Sequence, residues 1–513
     1  GLRYELETPI TERFDRMVAD FAFDQANPLE AAAKANYALN PIPELPVAQF
    51  RALGGLRFVN QGGNGRSPFK GEKDNFLPRF GLAWQPIDKL VVRGGYGLYY
   101  DTLGVNTTAP IQTGFSQSTP IQASPDNGVT YVATLANPFP NGLIAPQGTS
   151  GGLLTNVGQP IAAFDPNIRH AYARDMKHAY AQRWSLGLQY ELPLGFVADA
   201  AYVANRGTRL AVTRDYNATP NRYLSTKTER DLATINFLSQ QFPNPFFGLH
   251  PIFTNRTISR EQLLRPYPHF GRVNIEEPIG YSWYHSLQSK VEKRFARGFT
   301  FQLAYTWSKQ MDAVEFLNLA DPMPYETISA GDRTHRVAAS GIFELPFGRA
   351  RKFASDLPGW ADAFVSGWQL AFVVQRQSGP PIGPATGFGN IIFNGDIKNI
   401  ALPEDQRDVD RWFNIDAGFN RNAAQQLASN VRTFPLRFSG LRGDDQHRWD
   451  FSLSKKFNIT ERVNATFRGE AFNLFNHVNF SGPNTNPTDT NFGRITGTQS
   501  TARSWQFALK ITY

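Results

Sequence analysis

Cysteine is absent from all 513 residues. Its absence removes disulfides, zinc–thiolate centres, iron–sulfur clusters and cysteine nucleophiles. It leaves the redox compartment open, since cysteine-free chains occur in both settings. Long apolar runs are missing too. The most apolar stretch, 361–375, is short and carries charge and amides, so a transmembrane helix is excluded. A β-barrel escapes that test, because each strand is half polar and the mean hydropathy stays low, here −0.38. Catalytic signatures are equally lacking: no H-E-x-x-H or Walker A motif occurs. The glycine-rich stretch 62–65 is not followed by Lys-Ser/Thr and reads as a flexible turn. His250, His269, His285, His335, His447 and His477 stand apart with no i/i+4 pair, and His170 and His178 fall eight residues apart on a stretch read as loop. Polar loop or strand-end roles are expected for them rather than metal ligation. No enzyme, cofactor or metal site is expected. The net charge of +8 is scattered, without a basic run interleaved by aromatics, so no nucleic-acid partner is expected either.

What is abundant is aromatic. Phe, Tyr and Trp make up 13% of the chain, alongside 43 Gly and 35 Pro, a mixture that favours strands, turns and long loops over helices. Period-2 alternation recurs with clean faces. Trp184, Leu186, Leu188, Tyr190 and Leu192 oppose Arg183, Ser185, Gly187, Gln189 and Glu191; Phe299, Phe301, Leu303, Tyr305 and Trp307 oppose Thr300, Gln302, Ala304, Thr306 and Ser308. Each such segment reads as a half-buried strand with one apolar side.

Connection lengths decide the architecture. Short links (PLG, ARG and NIT among them) alternate with long ones near 8–75, 102–178, 207–280, 313–332, 379–445 and 476–500; the link 346–365 is the exception to brevity on the short side. That rhythm predicts an all-β, antiparallel, up-and-down transmembrane β-barrel with about twelve strands in residues 1–513, turns on the periplasmic side and loops outside. Segments of about 10–14 residues suit a tilted bilayer crossing better than the ~5–6 typical of soluble sheets. Aromatics near strand ends (Tyr99, Tyr100, Trp184, Tyr190, Trp283, Tyr284, Trp307, Trp449, Phe457, Trp505, Tyr513) read as interfacial girdles.

A charge at the bilayer midplane on the lipid face costs about 2–4 kcal/mol. Arg93, Arg183, Glu191, Lys290, Glu292, Arg294, Arg448, Asp450, Arg468, Glu470 and Lys510 are therefore expected to line the lumen, pairing across neighbouring strands or with a plug. Two similar stretches precede strands: 331–336, with Asp332, Arg333, His335 and Arg336, and 442–448, with Arg442, Asp444 and Asp445. One reading is an extracellular rim that grips an anionic or polar ligand through Arg forks. The other is a mutual salt-bridge lattice at the loop bases, one that can also touch lipopolysaccharide phosphates.

The stretch EAFNLFNHVNF (470–480) and the terminal SWQFALKITY (504–513) resemble TonB-dependent outer-membrane receptors. Residues 75–101, 285–312 and 332–353 look more narrowly like the Oar-like branch, whose members often carry a carboxypeptidase-regulatory-like domain. The resemblance implies a cell outer membrane location in a Gram-negative bacterium. It also implies a larger barrel, of which this is the C-terminal part, with a plug domain and a TonB-contacting segment elsewhere. Expected partners are outer-membrane lipids and lipopolysaccharide, the barrel-assembly machinery, the TonB complex and an unknown transported ligand. Trp505, Phe507, Leu509, Ile511 and Tyr513 resemble the C-terminal signal read by that machinery. The implied function is a receptor that binds a bulky ligand at its loops and passes it through a plugged lumen. A structural or adhesive outer-membrane protein and a soluble all-β carbohydrate binder are the competing readings.

Overall fold

The alternating segments fold as strands in the computed structural model, which describes residues 1–101, 111–116, 119, 121, 123, 130–140, 142–158, 171–172, 176–349, 351–384, 391–438, 440–460 and 462–513. Twelve strands follow one another in space as they do in sequence: β1 (Leu2–Glu5), β2 (Asn75–Ile87), β3 (Leu90–Tyr100), β4 (Tyr180–Leu192), β5 (Phe196–Asp215), β6 (Asn274–Ala296), β7 (Phe299–Ala313), β8 (His335–Glu344), β9 (Trp368–Gln377), β10 (Gln446–Asn458), β11 (Asn464–Phe472) and β12 (Ser504–Thr512). Every neighbouring pair along this path is antiparallel. Two short strands join it from the loops, Ala171–Tyr172 on β6 and Thr327–Ile328 on β7. The edge strands β1 and β12 do not pair with each other, so the sheet is an open wall.

Connections confirm the expected rhythm. The ends joined by 88–89, 193–195, 297–298, 345–367 and 459–463 lie opposite those joined by six long loops, 6–74, 101–179, 216–273, 314–334, 378–445 and 473–503. The β6–β7 turn shows why so few residues suffice. Arg297 and Gly298 both adopt positive φ, 55° and 82°, the primed-turn geometry whose twist matches the flanking strands. The longer 345–367 link holds a short helix.

Two strands outrun expectation. β5 has 20 residues and β6 has 23, well past the ~9–11 needed to cross a bilayer. Their outer ends pair Asn274 with Asp215 and bury Val212 and Ile275 beneath the loops.

The buried core lies away from the sheet's apolar side. Leu186, Trp505, Phe507 and Leu509, on the apolar side of the sheet, are exposed by 57–68%. Nearly all the large buried side chains sit in the long loops. Loops 6–74, 101–179 and 216–273 share one apolar cluster around Phe21, Phe58, Met176 and Phe270. A second cluster packs Tyr37, Phe50, Leu238, Phe246 and Leu263, and draws in the helices α1 (Glu30–Tyr37), α2 (Leu232–Ser239) and α3 (Arg260–Leu263). Loops 378–445 and 473–503 build a third from Ile400, Trp412, Phe413, Phe434 and Phe492. The groups are stitched together: Ser225 N donates to Ser429 O at 2.9 Å and Val431 N to Ser225 O at 2.8 Å. The loops thus form a folded cap over a sheet whose apolar side faces outward, unfilled by protein.

Candidate functional site

Residues directly opposite in an antiparallel ladder share a face. Following the register from one edge to the other therefore sorts every side chain. Arg93 opposes Gly187, Gly187 opposes Ala201, Ala201 opposes Gln288, Gln288 opposes Thr306, Thr306 opposes Arg336, Arg336 opposes Gln377 and Gln377 opposes Gln446. Farther along, Ser452 opposes Glu470 and Glu470 opposes Gln506. All eleven charged strand residues singled out above lie on this one polar face. The other face reads Leu82, Val92, Leu188, Leu287, Leu303, Val337, Val374, Leu453, Phe467 and Leu509 by the same register. Two girdle candidates, Tyr99 and Tyr284, fall on the polar face, because each sits one position out of phase with its apolar neighbours Tyr100 and Trp283.

Where these eleven residues pair with one another, they do so along a strand rather than across neighbouring ones. Among the described residues four ion pairs on this face run along one strand, between i and i+2: Arg3–Glu5 at 2.8 Å, Lys290–Glu292, Arg448–Asp450 at 2.5 Å and Arg468–Glu470 at 3.7 Å; Glu344 pairs instead with Arg351 of the following link at 3.3 Å. Arg79 and Arg183 instead stack on the Tyr99 ring, at 4.6 and 5.8 Å.

At the loop end the two similar stretches meet. Asp332, with a fully buried carboxylate, takes an ion pair from Arg442 and accepts from the backbone N of Gln310 at 2.6 Å. Arg442 also donates to Gly379 O at 3.1 Å. Asp445 pairs with Arg376 at 3.3 Å and accepts from the N of Gly379. Asp444 accepts from Phe480 N at 2.8 Å, and burial pushes its carboxyl above the ordinary range. Arg333 turns back onto the carbonyls of Ala330 and Asp332. His335 lies on the apolar face, bonded to the Tyr305 hydroxyl at 2.8 Å. In this geometry Asp332 and Arg442 satisfy each other, Asp445 is taken by Arg376 and Asp444 by the loop backbone; Arg336 is the member that faces the polar side.

The Asn-Leu-Phe-Asn element has a legible job here. Asn473 and Asn476 both take positive φ, which asparagine tolerates. Asn473 donates to the carbonyls of His477 and Thr501, and Asn476 accepts from Arg503 N at 3.0 Å, so the pair clamps the base of the last long loop.

Between this clamp, the rim and the polar face lies a cavity of about 450 Å³. Arg336, Arg448, Asp450, Gln375, Gln377 and Gln446 line its floor, and Asn479, Gln499 and Thr501 its loop side. Gln377 donates to Gln446 at 2.5 Å and Gln446 to Gln499 at 2.9 Å, a directional amide chain across three segments. Sequence reading found Arg336, Arg448 and Asp450 but not the amides. The polar phase of β9 (Gln375, Gln377) was the available signal.

The histidines are dispersed, with exceptions. His447 and His477 bring their rings to 4.6 Å. His178 is buried between Glu72 (3.1 Å) and Glu7 (2.9 Å). Burial would raise the Glu72 carboxyl, but the His178 backbone and ring and Lys177 together hold it below the usual range. His170 lies outside the described residues. Among the described residues no cluster of three His, Asp or Glu is arranged to hold a metal ion.

Residues 1–506 match the family model described as outer membrane beta barrel domain. No curated protein matches the chain. Among solved structures it is similar to the outer membrane transporter YddB from Escherichia coli (11% identity, 85% of this chain and 40% of that one, TM-score 0.42). It is also similar to the FrpB iron transporter from Neisseria meningitidis (10%, 85% and 39%, 0.34) and to the siderophore receptor PiuA from Acinetobacter baumannii (9%, 90% and 39%, 0.34). The chain thus spans 40% or less of the length of each of these structures.

Proposed function

Because the chain belongs to the outer membrane beta barrel domain family, its sheet is a barrel wall in the outer membrane of a Gram-negative bacterium, and we propose that it is the C-terminal wall and cap of a TonB-dependent receptor of the Oar-like type. The apolar face meets lipid, and the polar face, with its eleven charged residues, lines the lumen. Further strands pair with the free edges of β1 and β12 to close the barrel. The folded cap captures a bulky ligand, which enters past the Arg336–Gln446 cavity when TonB acts on a plug.

The observation that carries this reading is the cavity's position. It joins the loop cap to the polar face, so a ligand leaving the loops meets the lumen wall there. Its lining of amides and guanidinium groups, joined by Asp450 and His447, suits a polar ligand.

Comparing uptake and surface binding of labelled polar oligomers by cells with and without the gene, with and without an uncoupler, tests the reading. Uptake that needs both the gene and an energised membrane supports the receptor. Gene-dependent surface binding with no energised uptake supports the adhesive alternative instead.

A further inference from the structure

The link 345–367 breaks the rule that connections at this end are short, and its placement is informative. Its helix α4 (Gly359–Val365) is docked on the apolar side of the wall by three contacts. Trp368 donates its indole N–H to Phe364 O at 2.8 Å. The Phe364 ring packs edge-on against Phe457 at 6.2 Å. The Lys455 ammonium, on the apolar face of β10, reaches Ser366 O at the helix end. Trp368, Lys455 and Phe457 all belong to the face that carries Leu370, Phe451 and Leu453.

The helix then leaves its largest side chains bare. Trp360 is 75% exposed and Phe364 65%, one helical turn apart on a single face, with Phe347 and Phe353 exposed alongside them. These values match those of Trp505 and Phe507 on the open apolar wall. Cations accompany the rings. Arg351 is paired with Glu344 at 3.3 Å, but among the described residues Arg349 bonds through its guanidinium only to Leu357 O, and Lys352 stacks on Phe353 at 5.4 Å. The acidic neighbours are Asp356 and Asp362, the latter occupied by the backbone N of Arg349. Lys293 on β6 repeats the pattern at the same end: its stem is buried on the apolar face, with its ammonium over the Phe299 ring at 4.2 Å and on Ala296 O at 3.2 Å.

We propose that 345–367 is an interfacial anchor that lays Trp360 and Phe364 into the periplasmic-side leaflet, with Arg349 and Lys352 on phospholipid phosphates. This rests on the reading that the apolar face meets lipid. Bare aromatic rings with cations beside them, continuous with that face and at its edge, are what the headgroup level selects. Long basic side chains there lie their stems along apolar surface and turn their charge outward. A water-facing periplasmic element would gain nothing from two large exposed rings docked on the lipid side.

The lack of cysteine makes single-site spin labelling direct. Labels at Trp360→Cys and Phe364→Cys, with Leu453→Cys on the wall and Lys398→Cys in the cap as references, are placed in the full chain in phosphatidylethanolamine–phosphatidylglycerol vesicles. Accessibility to oxygen, which partitions into lipid, is compared with accessibility to chelated nickel, which stays in water. The expected result is oxygen-dominated relaxation at 360 and 364, shallower than at 453, with 398 nickel-dominated. Adding Arg349→Gln and Lys352→Gln to the Trp360→Cys variant should raise its nickel accessibility; no change overturns the phosphate contact. Nickel-dominated 360 and 364 beside an oxygen-dominated 453 overturn the anchor while leaving the wall intact. A nickel-dominated 453 overturns the lipid-facing wall itself, and the anchor with it.

Discussion

Asp332 and Arg442, 110 residues apart, form an ion pair in which the carboxylate is wholly buried and the guanidinium bridges two loops. Breaking it leaves a buried charge uncompensated, which costs about 3–5 kcal/mol. Arg442→Ala should therefore loosen the base of loop 378–445 and admit protease there, whereas Arg411→Ala, whose partner Asp416 is largely exposed, should change stability by less than about 1 kcal/mol. Limited proteolysis of the two variants, read as cleavage rate within 378–445, checks the contrast. Equal rates would count against the lock.

Stability of the cap should fall as pH drops below neutrality. His269 is buried against Phe246 and Phe270, neither ring nitrogen makes a hydrogen bond of normal geometry, and burial drives its pKa down to about 3, opposed by the Gly54 backbone. The folded value lies below the unfolded one of about 6.5, so the unfolded chain binds the extra proton between them. The contribution is complete above pH 6.5 and declines toward pH 3, by up to about 1.4 kcal/mol per pH unit. Unfolding midpoints at pH 7.5, 5.5 and 4.5 should show this slope, and His269→Leu should flatten it.

The two faces of β10 should tolerate charge unequally. Leu453→Arg places a guanidinium on the apolar face and should cost about 2–4 kcal/mol in vesicles, while Ser452→Arg, one residue away on the polar face, should cost little. Equal costs in urea titrations of the reconstituted protein would sink the assignment of faces.

Trp505, Phe507, Leu509 and Ile511 all stand on the apolar side of the edge strand β12, with Tyr513 just beyond it. If they form an assembly signal, deleting Tyr513 should reduce the amount of protein recovered in the outer-membrane fraction without changing total synthesis. Unchanged recovery would reject the signal.

The strands were legible because a two-residue period states a face directly, and because turn-long-turn spacing leaves few topologies. Boundaries failed where the period fades: residues 207–215 extend β5 beyond its alternating part, held by β6 rather than by pattern. The cap was illegible for a different reason. Its contacts join residues such as Phe21 and Phe270 that no local period relates. His178 illustrates the same limit, since its partners Glu72 and Glu7 lie 106 and 171 residues away. The charged wall residues were found, while Gln377, Gln446 and Gln499 were not, because an amide on a polar face looks ordinary until its neighbours in space are known.

The separation between a bare wall and a filled cap has a thermodynamic consequence. The cap is held together by water's exclusion from its apolar clusters, whereas the wall is held by its hydrogen-bonded ladder and a surrounding solvent of hydrocarbon. One polypeptide therefore answers to two solvents. Mild urea or acid should melt the cap in a first transition while the ladder persists, and the wall should yield in a second, only when the detergent or bilayer around it is also dismantled.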